Sequence, residues 1–141
     1  MTVDQISVFV QNRSGQLGDV TAVLRKNSIN IRAMSLADTS DFGVLRLMVD
    51  DTEKAAAALR AAGFTVGITP VLAVEVEDRP GGLAALLELL AQQAINVEYL
   101  YGYTQRQSHA ATLIFRSDRM ADTERLFMEN GYTVLSPEML G

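Results

Sequence analysis

The sequence predicts an α+β protein made of two β-α-β-β-α-β units in tandem. Each unit should be an antiparallel sheet with its helices on one face. Three observations carry this reading. The stretch Asn12-Arg13-Ser14-Gly15-Gln16-Leu17 returns 66 residues later as Asp78-Arg79-Pro80-Gly81-Gly82-Leu83. Each copy follows an alternating apolar run and opens a run with helical apolar spacing. Behind each helical run stands the same pair, as Ile29-Asn30-Ile31 and Ile95-Asn96-Val97. Together these mark an internal duplication.

In chain order, Ile6, Val8 and Val10 alternate with Ser7, Phe9 and Gln11, the period of a half-buried strand. After the Asn12–Gly15 loop, Leu17, Val20, Val23 and Leu24 form one helical face, and Lys26-Asn27-Ser28 ends it. Ile29–Leu36 and Val44–Val49 read as strands joined by a six-residue polar loop, Asp38-Thr39-Ser40-Asp41-Phe42-Gly43. Asp50-Asp51-Thr52 is a helix start with acids near the positive end of the dipole. Ala55, Ala58, Leu59 and Ala62 give its face, and Gly63 its stop. Phe64–Ile68 is a short closing strand, and punctuation at Gly67–Pro70 leads to the next strand, Val71–Val76.

The second copy repeats this order. Leu83, Leu86, Leu87 and Leu90 form a helix face, Ala110–Phe115 a strand, and Asp118–Asn130 a second helix. Asn130-Gly131-Tyr132-Thr133-Val134 echoes Ala62-Gly63-Phe64-Thr65-Val66. That spacing is 68 residues, so the second copy carries two extra residues near Arg116–Ala121. Domains are expected at 1–69 and 70–141. Right-handed crossovers place both helices of a unit on one sheet face, the ferredoxin-like arrangement. Units of about 70 residues are marginal by surface-to-volume scaling, so the two are expected to associate.

Composition narrows the function. The chain has 141 residues, 48% of them hydrophobic, enough to build a core. A formal charge of −5 argues against nucleic-acid binding and against an anionic-membrane footprint. There is no cysteine, hence neither a disulfide framework nor a thiolate. Met1–Gln5 lacks the features of a secretory signal, and no long apolar run suggests a membrane span, so a cytoplasmic location is expected. No nucleophile–base pair, phosphate loop or metal-ligand spacing stands out. The expectation is therefore no catalytic residue, no cofactor and no metal.

The pattern strand–(Asn/Asp)-Arg-(Ser/Pro)-Gly-x-Leu–helix–Ile-Asn-(Ile/Val), twice within β-α-β-β-α-β units, resembles the ACT domain. It covers nearly all of these 141 residues, and no attached catalytic domain is expected. Asn12-Arg13-Ser14-Gly15 and Asn30 are similar to the regulatory subunit of acetohydroxyacid synthase and to the serine-binding domain of phosphoglycerate dehydrogenase. The resemblance implies an amino-acid-binding regulatory module, whose ligand sits where the first loop faces a neighbouring domain. Carried over by position, it points to Asn12, Gly15, Leu17 and Asn30, and to Asp78, Gly81, Leu83 and Asn96. With Arg13, Ser14, Gln16, Ile31 and Gly82 alongside, these are the candidate ligand residues. A free amino acid, a homodimeric partner copy and a regulated metabolic enzyme are the partners it implies.

The residues support the same idea independently. A helix N-terminus offers free N–H groups and partial positive charge to a carboxylate. Gly15 lets backbone approach a ligand, and the Asn12 amide can both donate and accept. Asn30, at the mouth of the next strand, is expected to close the other side. Asp78 in place of Asn12 suits an ammonium instead, and Pro80 in place of Ser14 removes a donor. The first loop is thus expected to take the carboxylate end.

Against this stands a structural reading. Asn12, Ser14 and Asp78 are N-cap residues, Pro80 suits a first turn, and Asn30 and Asn96 suit turns. Arg13 and Arg79 read as surface salt-bridge or stacking residues, with a carboxylate contact as the rival. Tyr99, Tyr101 and Tyr103 share a strand face opposite small residues Ala33, Ser35 and Ala37 of the first copy, which favours packing over a ligand wall or base stacking. His109 stands alone, as a strand-end residue. An architectural or protein-interaction module is the alternative to a sensor.

Overall fold

Alternation at Ile6, Val8 and Val10 becomes β1 (Val3–Gln11), with those three side chains buried and Phe9 exposed. The computed structural model describes residues 1–38, 41–105 and 108–140. The chain divides into a first unit, Asp4–Pro70, and a second, Met1–Val3 with Val71–Gly141.

In the first unit α1 (Gln16–Lys26) follows β1 and buries Val20 and Leu24. Leu17 was expected on this face but stays exposed, because Gln16 holds the inward position at the first turn. The helix closes on Ser28 at φ 56, where the Ile29 N–H reaches back to the Leu24 carbonyl. β2 (Ile31–Asp38) and β3 (Phe42–Val49) form the antiparallel hairpin, from Ile31↔Val49 to Asp38↔Gly43. The connection is shorter than the polar run suggested, since Phe42 and Gly43 pair with Gln11 and Val10 of β1. Thr39 and Ser40 of that run lie outside the described residues, as does Gly141. α2 (Thr52–Ala61) starts on Asp51, whose carboxylate accepts the Lys54 N–H at 3.2 Å. Its buried residues are Ala55, Ala56 and Leu59, a face rotated slightly from the expected Ala58 and Ala62. Gly63, at φ 94, lets the Phe64 N–H bond the Leu59 carbonyl.

β4 is one strand, Thr65–Glu77, where two strands separated by Gly67–Pro70 were expected. Proline's fixed φ is compatible with extended backbone, and no atom lies within 4 Å of where a Gly67 Cβ would sit. The hydrogen-bonded order in the first unit is β2-β3-β1-β4, that of a ferredoxin-like sheet. Its core joins Ile6, Val8, Leu45 and Leu47 to Val20, Leu24 and Leu59.

The second unit repeats the arrangement with α3 (Gly82–Gln92), β5 (Val97–Thr104), β6 (Ala110–Ser117) and α4 (Met120–Glu129). β6 lies between β4 and β5, antiparallel to both. Phe115 and Phe127 meet edge to face at 5.6 Å in its core, beside Tyr132, Leu86 and Leu90. The offset between copies is 66 residues at β2 and β5 but already 68 at β3 and β6, so the two extra residues lie in the β5–β6 connection and not near Arg116–Ala121 as expected. At the β6–α4 junction Ser117 and Thr123 share a buried hydroxyl contact of 2.7 Å. The expected closing strand is reduced to one bridge, Val74↔Val134. The N–H groups of Asn130, Gly131 and Tyr132 turn back to α4 carbonyls, as those of Ala62, Gly63 and Phe64 do at the end of α2. A short 3₁₀ turn, Pro137–Leu140, follows. Both units are thus ferredoxin-like, and no described helix is long and apolar enough to cross a membrane.

Candidate functional site

At the first loop, β1 ends at Gln11 and the backbone must turn sharply into α1. Gly15 makes that turn at φ 87, a left-handed conformation that side chains disfavour. The structure therefore corrects the capping expectation: Gly15 is the N-cap, and neither Asn12 nor Ser14 caps the helix with its side chain. The Gln16 N–H bonds the Arg13 carbonyl, while the N–H groups of Leu17 and Gly18 find no acceptor among the described residues. Two free donors thus point out of a helix start. The Gln16 side chain folds back, its Oε1 accepting the Gln11 N–H at 3.2 Å. Arg13 donates to the Gln11 side chain at 3.0 Å, and the Asn12 N–H bonds the Asp41 carbonyl. The Asn12 and Ser14 side chains remain exposed.

A hollow of about 100 Å³ lies against this loop, lined by Asn12, Arg13, Gln16 and Leu17 together with Val10, Gln11, Leu36 and Gly43. Polar groups line one wall, and the exposed apolar residues Leu17 and Leu36 line the other. Gly43 helps keep it open, since a Cβ there would lie 3.2 Å from both Leu36 and Val10 side chains. Leu36 and Gly43 were not singled out in the sequence. Only the hairpin register brings them beside the loop.

The second loop shares the turn but not the seat. Gly81 caps α3 at φ 86, again without a side-chain bond from Asp78. The Asp78 N–H bonds the His109 carbonyl, as Asn12 bonds Asp41, so the lone histidine is exposed and its backbone serves the turn. At Gly82 a Cβ would sit 2.2 Å from the Glu77 carbonyl oxygen, so α3 is packed directly onto the strand end. Arg79 pairs with Glu77 on the surface. That hydrogen bond, and then the carboxylate's charge, raise the guanidinium pKa above its ordinary value. The hollow here is larger, about 370 Å³, and includes Glu75, Glu77, Arg79, Gly82, Tyr132 and Thr133. Leu83, like Leu17, is exposed.

The remaining candidates lie elsewhere in each unit. Gln11 pairs with Phe42, whereas Ile31 pairs with Val49. The β3 stretch from Phe42 to Val49 spans about 24 Å at ~3.4 Å per residue. Asn30 therefore sits at the far end of its unit from Asn12 and does not close the Asn12 loop of that unit. Its backbone exchanges bonds with Asp50: the Asn30 N–H reaches the carboxylate at 3.1 Å, and its carbonyl accepts the Asp50 N–H. Asn96 repeats this with Asp118. Ile31 packs half-buried against the first core. Tyr99, Tyr101 and Tyr103 are half-buried along β5. Among the described residues, no group of His, Cys, Asp and Glu could hold a metal ion.

With this geometry in place, the chain can be set against known proteins. The family described as the ACT domain pair matches residues 1–140. Protein BT0572 from Bacteroides thetaiotaomicron is 34% identical with a TM-score of 0.92, over 99% of this chain and 96% of that one. The ligand-free regulatory subunit of aspartate kinase from Thermus thermophilus is 15% identical with a TM-score of 0.66, over 91% and 92%. The corresponding subunit from Thermus flavus is 16% identical with a TM-score of 0.63, over 89% and 90%. These two share the fold with this chain. No curated protein matches it in sequence.

Proposed function

Since the chain belongs to the family of ACT domain pairs, we propose that it is a non-catalytic regulatory protein that binds a free α-amino acid and passes that signal to a metabolic enzyme. The domain repeats are taken as 1–69 and 70–141. The observation that carries the reading is the hollow at the first loop, where Leu17, whose N–H at the start of α1 finds no acceptor among the described residues, adjoins Asn12 and an apolar wall. That donor suits a carboxylate, the Asn12 amide suits either charged group, and Leu17 with Leu36 suit an aliphatic stem. That the Thermus structures are regulatory subunits by name supports the regulatory part.

Because Asn30 lies at the far end of its own sheet, it can join Asn12 around one ligand only if a second copy supplies it. Homodimerisation is part of the proposal. Regulation would follow by linkage, the ligand favouring whichever assembly holds it more tightly.

Thermal denaturation against the twenty amino acids tests the reading. A ligand at a hundred times its Kd should add about 2.7 kcal/mol of stability. Asn12→Ala should abolish the shift. If none of the twenty raises Tm, amino-acid sensing is wrong. The rival, a protein-interaction module, is favoured by the exposed Phe9, Met34 and Phe42 of the first unit.

A further inference from the structure

We propose that the cleft of the second unit, between β4 and Asn130–Thr133, binds a small ligand carrying a primary ammonium group and a net positive charge, with Glu75 as its anionic contact. The proposal goes beyond the amino-acid reading of the first loop and does not depend on it.

The cleft lies where the chain leaving α4 approaches β4. The Glu75 N–H bonds the Thr133 carbonyl, and the Leu135 N–H bonds the Ala73 carbonyl at 2.7 Å. Pairing is confined to this short stretch: the N–H groups of Asn130 to Tyr132 bond α4 carbonyls, as the matching residues do at the end of α2, and the chain after it enters the Pro137–Leu140 turn. The edge of β4 beyond Glu75 is left facing a hollow of about 370 Å³. That is more than ten times the ≈ 30 Å³ share of one water in the liquid.

Charge selects the ligand. Glu75, Glu77 and Arg79 all line the cleft, and Glu77 and Arg79 satisfy each other as an ion pair. Glu75 is a half-buried residue whose carboxylate has no hydrogen bond or ion pair among the described residues. It also lines an adjoining hollow of about 130 Å³ with Tyr103, Thr112 and Met139. Among the described residues that line it, the cleft therefore carries one negative charge without a paired cation. An ammonium meets a carboxylate through a charge-assisted hydrogen bond, stronger than one between neutral groups. Tyr132 adds aromatic wall, which favours a cation over an anion. A neutral molecule of the same shape gains neither term.

The test is an NMR titration of the full chain with n-butylamine, using n-butanol as its uncharged counterpart. The amine should shift the amide signals of Ala110, Gly131, Tyr132 and Thr133 saturably, and the alcohol should not. Glu75→Gln should weaken the amine by about tenfold or more, the scale of a lost charged contact, while Glu75→Asp keeps much of the affinity. The dispersion of each variant's spectrum shows that it is folded. The proposal fails if those amides do not respond, if butanol matches butylamine, or if Glu75→Gln binds as wild type does. A response to neutral amino acids that persists through such a failure leaves the first-loop reading standing; its absence would overturn that reading alone.

Discussion

The two loops make the same turn and seat their helices in opposite ways. At the first, the Gln16 side chain fills the gap between strand and helix and satisfies the Gln11 N–H. At the second, the side chain is deleted, and Gly82 lets α3 rest on the Glu77 carbonyl. The first hollow opens toward the β2–β3 hairpin through Leu36 and Gly43, whereas the second reaches the segment after α4 through Asn130–Thr133. A duplicated motif thus preserves a backbone path more faithfully than it preserves a cavity. The path depends on one dihedral angle at Gly15 and Gly81, while the cavity depends on every neighbour.

The largest test of this contrast is Gly82→Ala. With a Cβ 2.2 Å from a backbone oxygen, the helix must move. The expected cost is about 3 kcal/mol in urea unfolding, at the upper end of overpacking penalties. A loss below about 0.5 kcal/mol, the scale of a neutral surface substitution, would mean that α3 is not seated on the Glu77 carbonyl. Next are Gly15→Ala and Gly81→Ala, each expected to cost about 1–2 kcal/mol from left-handed strain. Both positions face open space, so the two losses should match. Unequal losses would show that the turns differ after all. Gln16→Ala should cost about 1 kcal/mol by stranding the Gln11 N–H. Its measure is faster hydrogen exchange at Gln11, with Glu77 unchanged. The smallest effects concern the far ends of these helices, which stop on left-handed Ser28 and Ala94 at φ 56 and 52. Ser28→Gly and Ala94→Gly should each stabilise by about 0.5 kcal/mol, because relieved strain slightly exceeds the added chain entropy. Calorimetry would detect this as a raised Tm.

Much of the fold was legible because it rests on local periodicity. Ile6, Val8 and Val10 alternate, Val20 and Leu24 follow at helical spacing, and both sets are buried. The Asp51 helix start and the Gly63 stop are short-range chemistry and were readable for that reason. Leu17 and Leu83 misled, since helical spacing marks a face without saying how far along it the core reaches. β4 misled too, because Gly67 and Pro70 often end strands yet are compatible with extended backbone. The last strand of the second unit was expected from repetition alone, and there the repeat had diverged.

The site was less legible. The loop residues stood out through their recurrence, but Leu36 and Gly43 reach the hollow only through strand register. The same register carries Asn30 to the far end of its sheet, a separation that adjacency to a motif cannot reveal. Glu75 gave no local signal, because a single acid in an alternating strand is unremarkable until its partners are known.

By itself, the sequence determined the duplication, the order of strands and helices, and the left-handed glycine turn that starts each first helix. These follow from spacing and backbone sterics within a few residues. Tertiary structure alone decided which flank of each turn stays open, that Glu75 lines a cleft, and that the last strand shrinks to a bridge. Those outcomes depend on groups distant in the chain competing for the same space and the same hydrogen bonds.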